Sequence, residues 1–189
     1  MVKTVPLCTP LGDEVLDLAA GDRVTLSGIV YTARDEAHIR MQEEGIPFDP
    51  EGAAIYHCGP VIREGEILAA GPTTSARLNT LTGFLLKRGV RALIGKGGMG
   101  SEVAGKLRGR GVYLAFTGGC AVLAASKMTL RGGYFEDLGM AEAVWEIELD
   151  ALPLIVGIDS RGADLFSRVA EEAKKQFHTR FIQEHRTIP

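Results

Sequence analysis

Cysteine is scarce. Only Cys8, Cys58 and Cys120 occur in 189 residues, an odd count with no C-x-x-C or Cys/His spacing, so neither a disulfide framework nor a self-contained zinc or iron–sulfur site is encoded. Such usage points to a reducing cytosol. No apolar run approaches the roughly 18 residues of a membrane-spanning helix. Met1 to Leu18 carries Asp13, Glu14 and Asp17 where an export signal needs an apolar core. The expectation is a cytoplasmic chain with no membrane partner. A basic excess is also missing: the formal net charge is −3, whereas a general nucleic-acid binder presents a basic face, so any anion site must be local. Internal repeats and low-complexity segments are lacking. With 46% hydrophobic and 24% charged residues, the composition is that of an ordinary globular protein long enough for one substantial domain.

Glycine, in contrast, is abundant: 24 residues, clustered at 95–100, 118–119 and 132–133. Clustered glycine marks tight turns or backbone that approaches a ligand closely. Residues 1–22 read as an extended lead-in. Residues 23–30 alternate as a half-buried strand, and Thr32 or Asp35 can cap a helix reaching about Glu44, ended by Gly45 and Pro47. Residues 53–58 and 66–70 read as short strands. Leu78, Leu81, Phe84 and Leu85 fall at helical spacing across 74–88, with Gly89 closing the helix. A strand at 90–94, a helix at 99–108, a strand at 112–116 and a helix at 120–127 then repeat the strand, glycine turn and helix order of a mainly parallel sheet. Residues 132–140 read as a connection, 143–149 and 154–158 as two strands, and 163–177 as an amphipathic helix with Leu165, Phe166, Val169 and Ala173 on one face. A polar tail covers 178–189. The domain proper is therefore 23–177, an α/β single domain.

Parallel sheets place binding groups at the carboxyl ends of their strands, and the chemistry-bearing motifs fall there. Gly71-Pro72-Thr73-Thr74-Ser75-Ala76-Arg77 sets three hydroxyls before a helix, where free backbone N–H groups seat an anion and Arg77 adds a bidentate clamp; simple helix capping by Thr73 or Thr74 explains the same pattern. Gly95-Lys96-Gly97-Gly98-Met99-Gly100 turns sharply after a strand and aims Lys96 at whatever occupies the loop. It lacks the spacing of a nucleotide P-loop, and a bare turn with a surface lysine is the alternative. In Thr117-Gly118-Gly119-Cys120-Ala121, Cys120 is either a small packed side chain or a nucleophile needing a cationic neighbour. Arg34 and His38 lie four apart on one helix face, Arg34 fit to clamp a carboxylate and His38 to hydrogen-bond a substrate or another side chain, with a solvated helix face as the alternative. His57, beside Cys58 on an apolar strand, reads as structural; His178 and His185 receive no role. Asp159 ends a strand and either orients a cation such as Lys96 or forms a plain turn.

Taken in order, Thr32-Ala33-Arg34-Asp35, Ala37-His38, Gly59-Pro60, Gly71 to Arg77, Gly95 to Met99 and Thr117 to Ala121 resemble the β subunit of iron–sulfur hydro-lyases. These are the class I fumarate hydratases and L-tartrate dehydratases, whose same module is elsewhere fused as a C-terminal domain. The resemblance covers most of residues 10–175; Pro-Thr-Thr-Ser-Ala-Arg and Lys-Gly-Gly-Met are its specific parts. It implies a swivelling β/β/α domain with a mainly parallel central sheet, a partner α subunit holding a [4Fe–4S] cluster on three cysteines, and a small dicarboxylate substrate. The implied reaction is reversible hydration of fumarate to (S)-malate, a step of the tricarboxylic acid cycle. L-tartrate dehydration and a non-catalytic dicarboxylate-binding module are the alternatives. By the same resemblance, Thr73 and Lys96 are catalytic candidates, while Arg34, Thr74 and Arg77 bind substrate. No metal ligand is expected in this chain. A threonine hydroxyl is a weak base, so its use as one requires nearby cations such as Lys96 or Arg77.

Overall fold

The computed structural model describes residues 4–185. Its strands are β1 (Thr4–Cys8), β2 (Arg23–Thr32), β3 (Ala54–Tyr56), β4 (Val61–Arg63), β5 (Glu66–Ala69), β6 (Ala92–Gly95), β7 (Val112–Ala115), β8 (Met128–Tyr134) and β9 (Val144–Ile158). The helices are α1 (Asp35–Glu44), α2 (Gly83–Lys87), α3 (Ser101–Leu107), α4 (Ala121–Ala125) and α5 (Leu165–His185). Seven strands form one sheet in the order β1-β2-β3-β6-β7-β9-β8, and β4 and β5 form a separate hairpin.

β9 pairs antiparallel with β2 along Arg23–Tyr31 and takes one edge of that strand, so β1 and β3 share the other. β9 also pairs antiparallel with β7. The consequence is a closed ring, β2-β3-β6-β7-β9, in which the first four strands run parallel. The sheet is thus mixed. Its parallel centre was expected, but β9 and β8 bring three antiparallel pairings.

Alternation of side chains divides the core in two, as the period of a strand dictates. Leu26, Tyr56, Ile94, Leu114, Ile147 and Val156 point to one cluster, drawn from every ring strand and therefore lying within the barrel. Ile55, Leu93, Tyr113 and Ile158 point the opposite way and pack with Ala37, Met41, Leu85 and Val103 of the covering helices. β3 and β6 are buried on both faces, which is why their sequences are apolar runs rather than alternating ones.

Several expectations change. The lead-in is built into the fold: β1 pairs in parallel with β2, and Val15 is fully buried in a 3₁₀ turn at Asp13–Asp17. The helix expected over 74–88 is instead a 3₁₀ turn, Ser75–Leu78, followed by the short α2. Tertiary pairing wins there, because the Ser75 N–H bonds the Lys96 carbonyl. Gly89 does close α2, at φ 102°, with the Val90 N–H on the Leu85 carbonyl. The connection expected at 132–140 begins as strand, since Gly132–Tyr134 completes β8 against β9. The two strands expected at 143–149 and 154–158 are the single β9, continuous through Leu152 and Leu154, which pair with Leu26 and Val24. A bulge at Ala151, φ 49°, absorbs the register shift, its N–H donating to Ser27 Oγ at 3.0 Å. The final helix starts at Leu165 and continues through 178–185, where a tail was expected; residues 186–189 of that tail lie outside the described residues. Phe166 packs on the second core, whereas Val169 is 58% exposed, so the expected apolar face is only partly covered.

Candidate functional site

Because β2, β3, β6 and β7 are parallel neighbours, their carboxyl ends meet at one rim. There the chain places Arg34, the His57–Gly59 turn, Lys96 and the Thr117–Gly119 turn. The 73–75 segment is woven into the same rim. The His57 carbonyl accepts both the N–H (2.7 Å) and the hydroxyl (3.0 Å) of Thr73. The Lys96 N–H donates to the Thr73 carbonyl at 3.1 Å, and the Ser75 N–H to the Lys96 carbonyl at 3.1 Å. Thr74 faces Lys96 across this short ladder. The strap therefore prolongs the strand ends of β3 and β6 up to the 3₁₀ turn Ser75–Leu78, and neither Thr73 nor Thr74 makes a side-chain capping bond there.

Thr73 is half-buried and Thr74 exposed. The Thr73 proton is already spent on the His57 carbonyl, so the oxygen presents lone pairs to an incoming group. Lys96 is half-buried and, among the described residues, makes no ion pair; its stem runs beside Gly118, where a Cβ would come within 3.0 Å of Lys96 Cδ. Arg34 precedes α1 and pairs with Glu142 at 3.2 Å, both side chains about four-fifths covered. The other Glu142 oxygen accepts the Glu36 N–H at 3.1 Å. Gly59 leaves room for this guanidinium: a Cβ there would sit 3.0 Å from Arg34 Nη1 and 2.7 Å from the Ala141 carbonyl. Arg77, from the strap, reaches Asp35 beside Arg34 at 2.8 Å. All five candidates, Arg34, Thr73, Thr74, Arg77 and Lys96, thus occupy one rim, and each arginine is held by a carboxylate of the chain itself.

Behind the rim lie two buried histidines with ring centroids 5.8 Å apart. His38 does not face solvent with Arg34; its Nδ1 lies 2.7 Å from the Arg34 carbonyl, and burial lowers its pKa from 6.5 to about 4. Burial, then the neighbouring His38, keeps His57 far below the ordinary histidine range. The Cys58 thiol is pushed up to about 12 by burial, so it is no nucleophile. Cys120 Sγ lies 2.7 Å from the Thr117 carbonyl and helps to close that turn. Asp159 does not orient Lys96. Burial alone would raise its carboxyl, but the N–H groups of Ala20, Ala163 and Arg161 hold it low as the acceptor of a turn. Sequence reasoning missed Glu142 and Tyr113, which stand 108 and 79 residues from Arg34 in the chain and carry no motif.

The likeness to known proteins follows the same segments. Residues 2–169 match the family described as Fumarase C-terminus. The chain is 40% identical over 179 residues to the "Putative L(+)-tartrate dehydratase subunit beta" of Methanocaldococcus jannaschii, covering 87% of this chain and 92% of that protein. It is 36% identical over 185 residues to the L(+)-tartrate dehydratase subunit beta of Escherichia coli K12, covering 92% and 90% respectively. With the "Putative fumarate hydratase class I" of Geobacillus stearothermophilus it shares 35% identity over 180 residues, 90% of this chain but 35% of that longer protein.

Proposed function

The chain belongs to the Fumarase C-terminus family, and from that premise we propose that it is the β subunit of a hydro-lyase that adds water to, or removes it from, a four-carbon diacid. The observation that carries this reading is the gathering of Arg34, Arg77, Lys96 and the Thr73 oxygen at one rim. Two guanidinium groups can each take a substrate carboxylate in bidentate fashion, fixing the diacid at both ends. Lys96 stabilises the extra negative charge that builds on a carboxylate when its α-proton leaves. Thr73, whose own proton is held by the His57 carbonyl, turns its lone pairs to the substrate as a hydrogen-bond acceptor that orients the reacting diacid.

Asp35 and Glu142 serve as stand-in carboxylates before substrate arrives, so binding exchanges one carboxylate for another instead of desolvating a bare arginine. The substrate pair is fumarate and (S)-malate. L-tartrate is a second reading, favoured by the names of relatives whose length matches this chain. In this proposal the [4Fe–4S] cluster belongs to a cysteine-bearing α subunit. The rim closes over the α subunit by a swivel of the whole domain. Val122 and Leu123, 73% and 72% exposed on α4 beside the rim, give that partner apolar surface to cover.

The test is co-expression with the α subunit, anaerobic cluster reconstitution and turnover of (S)-malate against L-tartrate. The pair should be active and the chain alone inactive. A brown, active preparation of this chain alone, or a reconstituted pair that turns over neither diacid, would overturn the reading.

A further inference from the structure

Ser75, the third hydroxyl of the strap, has no part in the chemistry proposed above. It is fully buried, as are His57 and Tyr113. Ser75 Oγ lies 2.8 Å from His57 Nδ1 and 3.1 Å from the Tyr113 hydroxyl, which lies 2.8 Å from the Gly97 carbonyl. The protons can be placed by counting. A carbonyl only accepts, so the single Tyr113 hydroxyl proton goes to Gly97. The Tyr113 oxygen then accepts from the Ser75 hydroxyl, and the Ser75 oxygen accepts from His57. Neutral His57 therefore carries its proton on Nδ1. Gly95 leaves the room this requires: a Cβ there would overlap Ser75 Oγ and stand 3.1 Å from His57 Nδ1.

We propose that His57, Ser75 and Tyr113 form a directional hydrogen-bond wire, from His57 Nδ1–H through the two hydroxyls to the Gly97 carbonyl, that sets Thr73 and Lys96 relative to one another. The wire begins at the residue whose carbonyl holds Thr73 and ends one residue beyond Lys96. It thus ties the backs of both catalytic candidates while touching neither their tips nor the substrate. His57, Ser75 and Tyr113 are positioning residues. The kinetic consequence rests on the hydro-lyase reading; the wire itself does not.

Three measurements test it. Nitrogen-15 spectra of the histidines in the full chain should show His57 protonated at Nδ1 and bare at Nε2, a pattern that Ser75→Ala disturbs. In Ser75→Ala and Tyr113→Phe the amides of Ser75 and Lys96 should exchange with solvent roughly tenfold faster, the loss expected for one hydrogen bond, while amides of β1 and β2 do not change. With the α subunit present, both variants should lose about a hundredfold in kcat with KM nearly unchanged, as expected for misplaced catalytic groups. His57→Leu should lose as much, whereas His57→Asn, which keeps a donor near the Nδ1 position, should retain most of the parent's kcat. A proton on Nε2 of His57, or unchanged exchange in both variants, overturns the wire. Variants that match the parent's kcat overturn the positioning role and leave the hydro-lyase reading standing. If the parent pair turns over neither diacid, that reading fails, and the spectra and exchange rates still decide the wire.

Discussion

Acid should loosen this fold through His38, by an amount that can be worked out. The side chain is fully buried in α1, and its Nδ1–H donates to the Arg34 carbonyl at 2.7 Å. Burial outweighs that bond and the nearby Asp35 carboxylate, and takes the pKa from 6.5 to about 4. The unfolded chain therefore binds the proton more readily than the folded one. The stability from keeping His38 neutral is complete above about pH 6.5 and is lost progressively as pH falls towards 4. At about 1.4 kcal/mol per tenfold in proton affinity, the full loss is about 3 kcal/mol, and the share falling between pH 7 and pH 5 is about 2 kcal/mol. His57 adds to the loss in the same direction. Urea unfolding at the two pH values measures it. Comparison with His38→Asn, which keeps a donor for Arg34 but does not titrate, cancels the groups that do not interact with His38. With an m-value of about 2 kcal/mol/M, the parent's midpoint should fall about 1 M further than the variant's. Equal shifts in the two proteins would refute the reasoning. Should the variant be too unstable to compare, the nitrogen-15 titration of His38 decides, and a midpoint near 6.5 refutes it.

Other outcomes follow from the rim. Arg77→Lys keeps the charge and loses the fork, so turnover with the α subunit should drop by about a hundredfold or more. Thermal midpoints should stay within a few degrees, because its pair with Asp35 is half-exposed and such pairs contribute about 0–1 kcal/mol. Glu142→Gln removes the carboxylate that substrate displaces from Arg34, so KM should fall; losing a pair that is about four-fifths covered should also lower the thermal midpoint, as steady-state assays and calorimetry can check. Gly95→Ala forces a Cβ onto Ser75 and should cost about 1–3 kcal/mol in urea unfolding, the usual penalty of overpacking.

The sequence disclosed local events well. Strand, glycine turn and helix at 90–107 follow from an apolar run and a helical spacing, both of which survive packing. That the motifs at Arg34, Thr73 and Lys96 lie at strand ends was legible from their glycines and hydroxyls, but capping and plain turns explained each of them singly, and only their joint order along the chain set them apart. The stretch 74–88 was not, because its apolar spacing suits a helix while the Ser75 backbone is claimed by Lys96 twenty-one residues on. β8 was hidden by Gly132 and Gly133, and their place as strand is fixed by Glu146 and Trp145 across the sheet. Glu142 gave no signal, since a lone glutamate before a strand looks solvated until Arg34 is folded against it. Tyr113 lay in an apolar run where an aromatic ring suffices for the core, and only the hydroxyl's partners reveal its second use.

The closed ring also dictates an order of assembly. β2 is made well before its antiparallel mate β9, which ends at Ile158, so the barrel stays open until β9 has been made. Until then β2, β3, β6 and β7 can associate only as an incomplete parallel sheet with two bare edges and the barrel's apolar lining uncovered. Long-range closure of this kind is slow, and such intermediates are prone to aggregate. A ribosome-bound chain truncated before residue 144 should therefore call on chaperones more heavily than one that has passed Ile158.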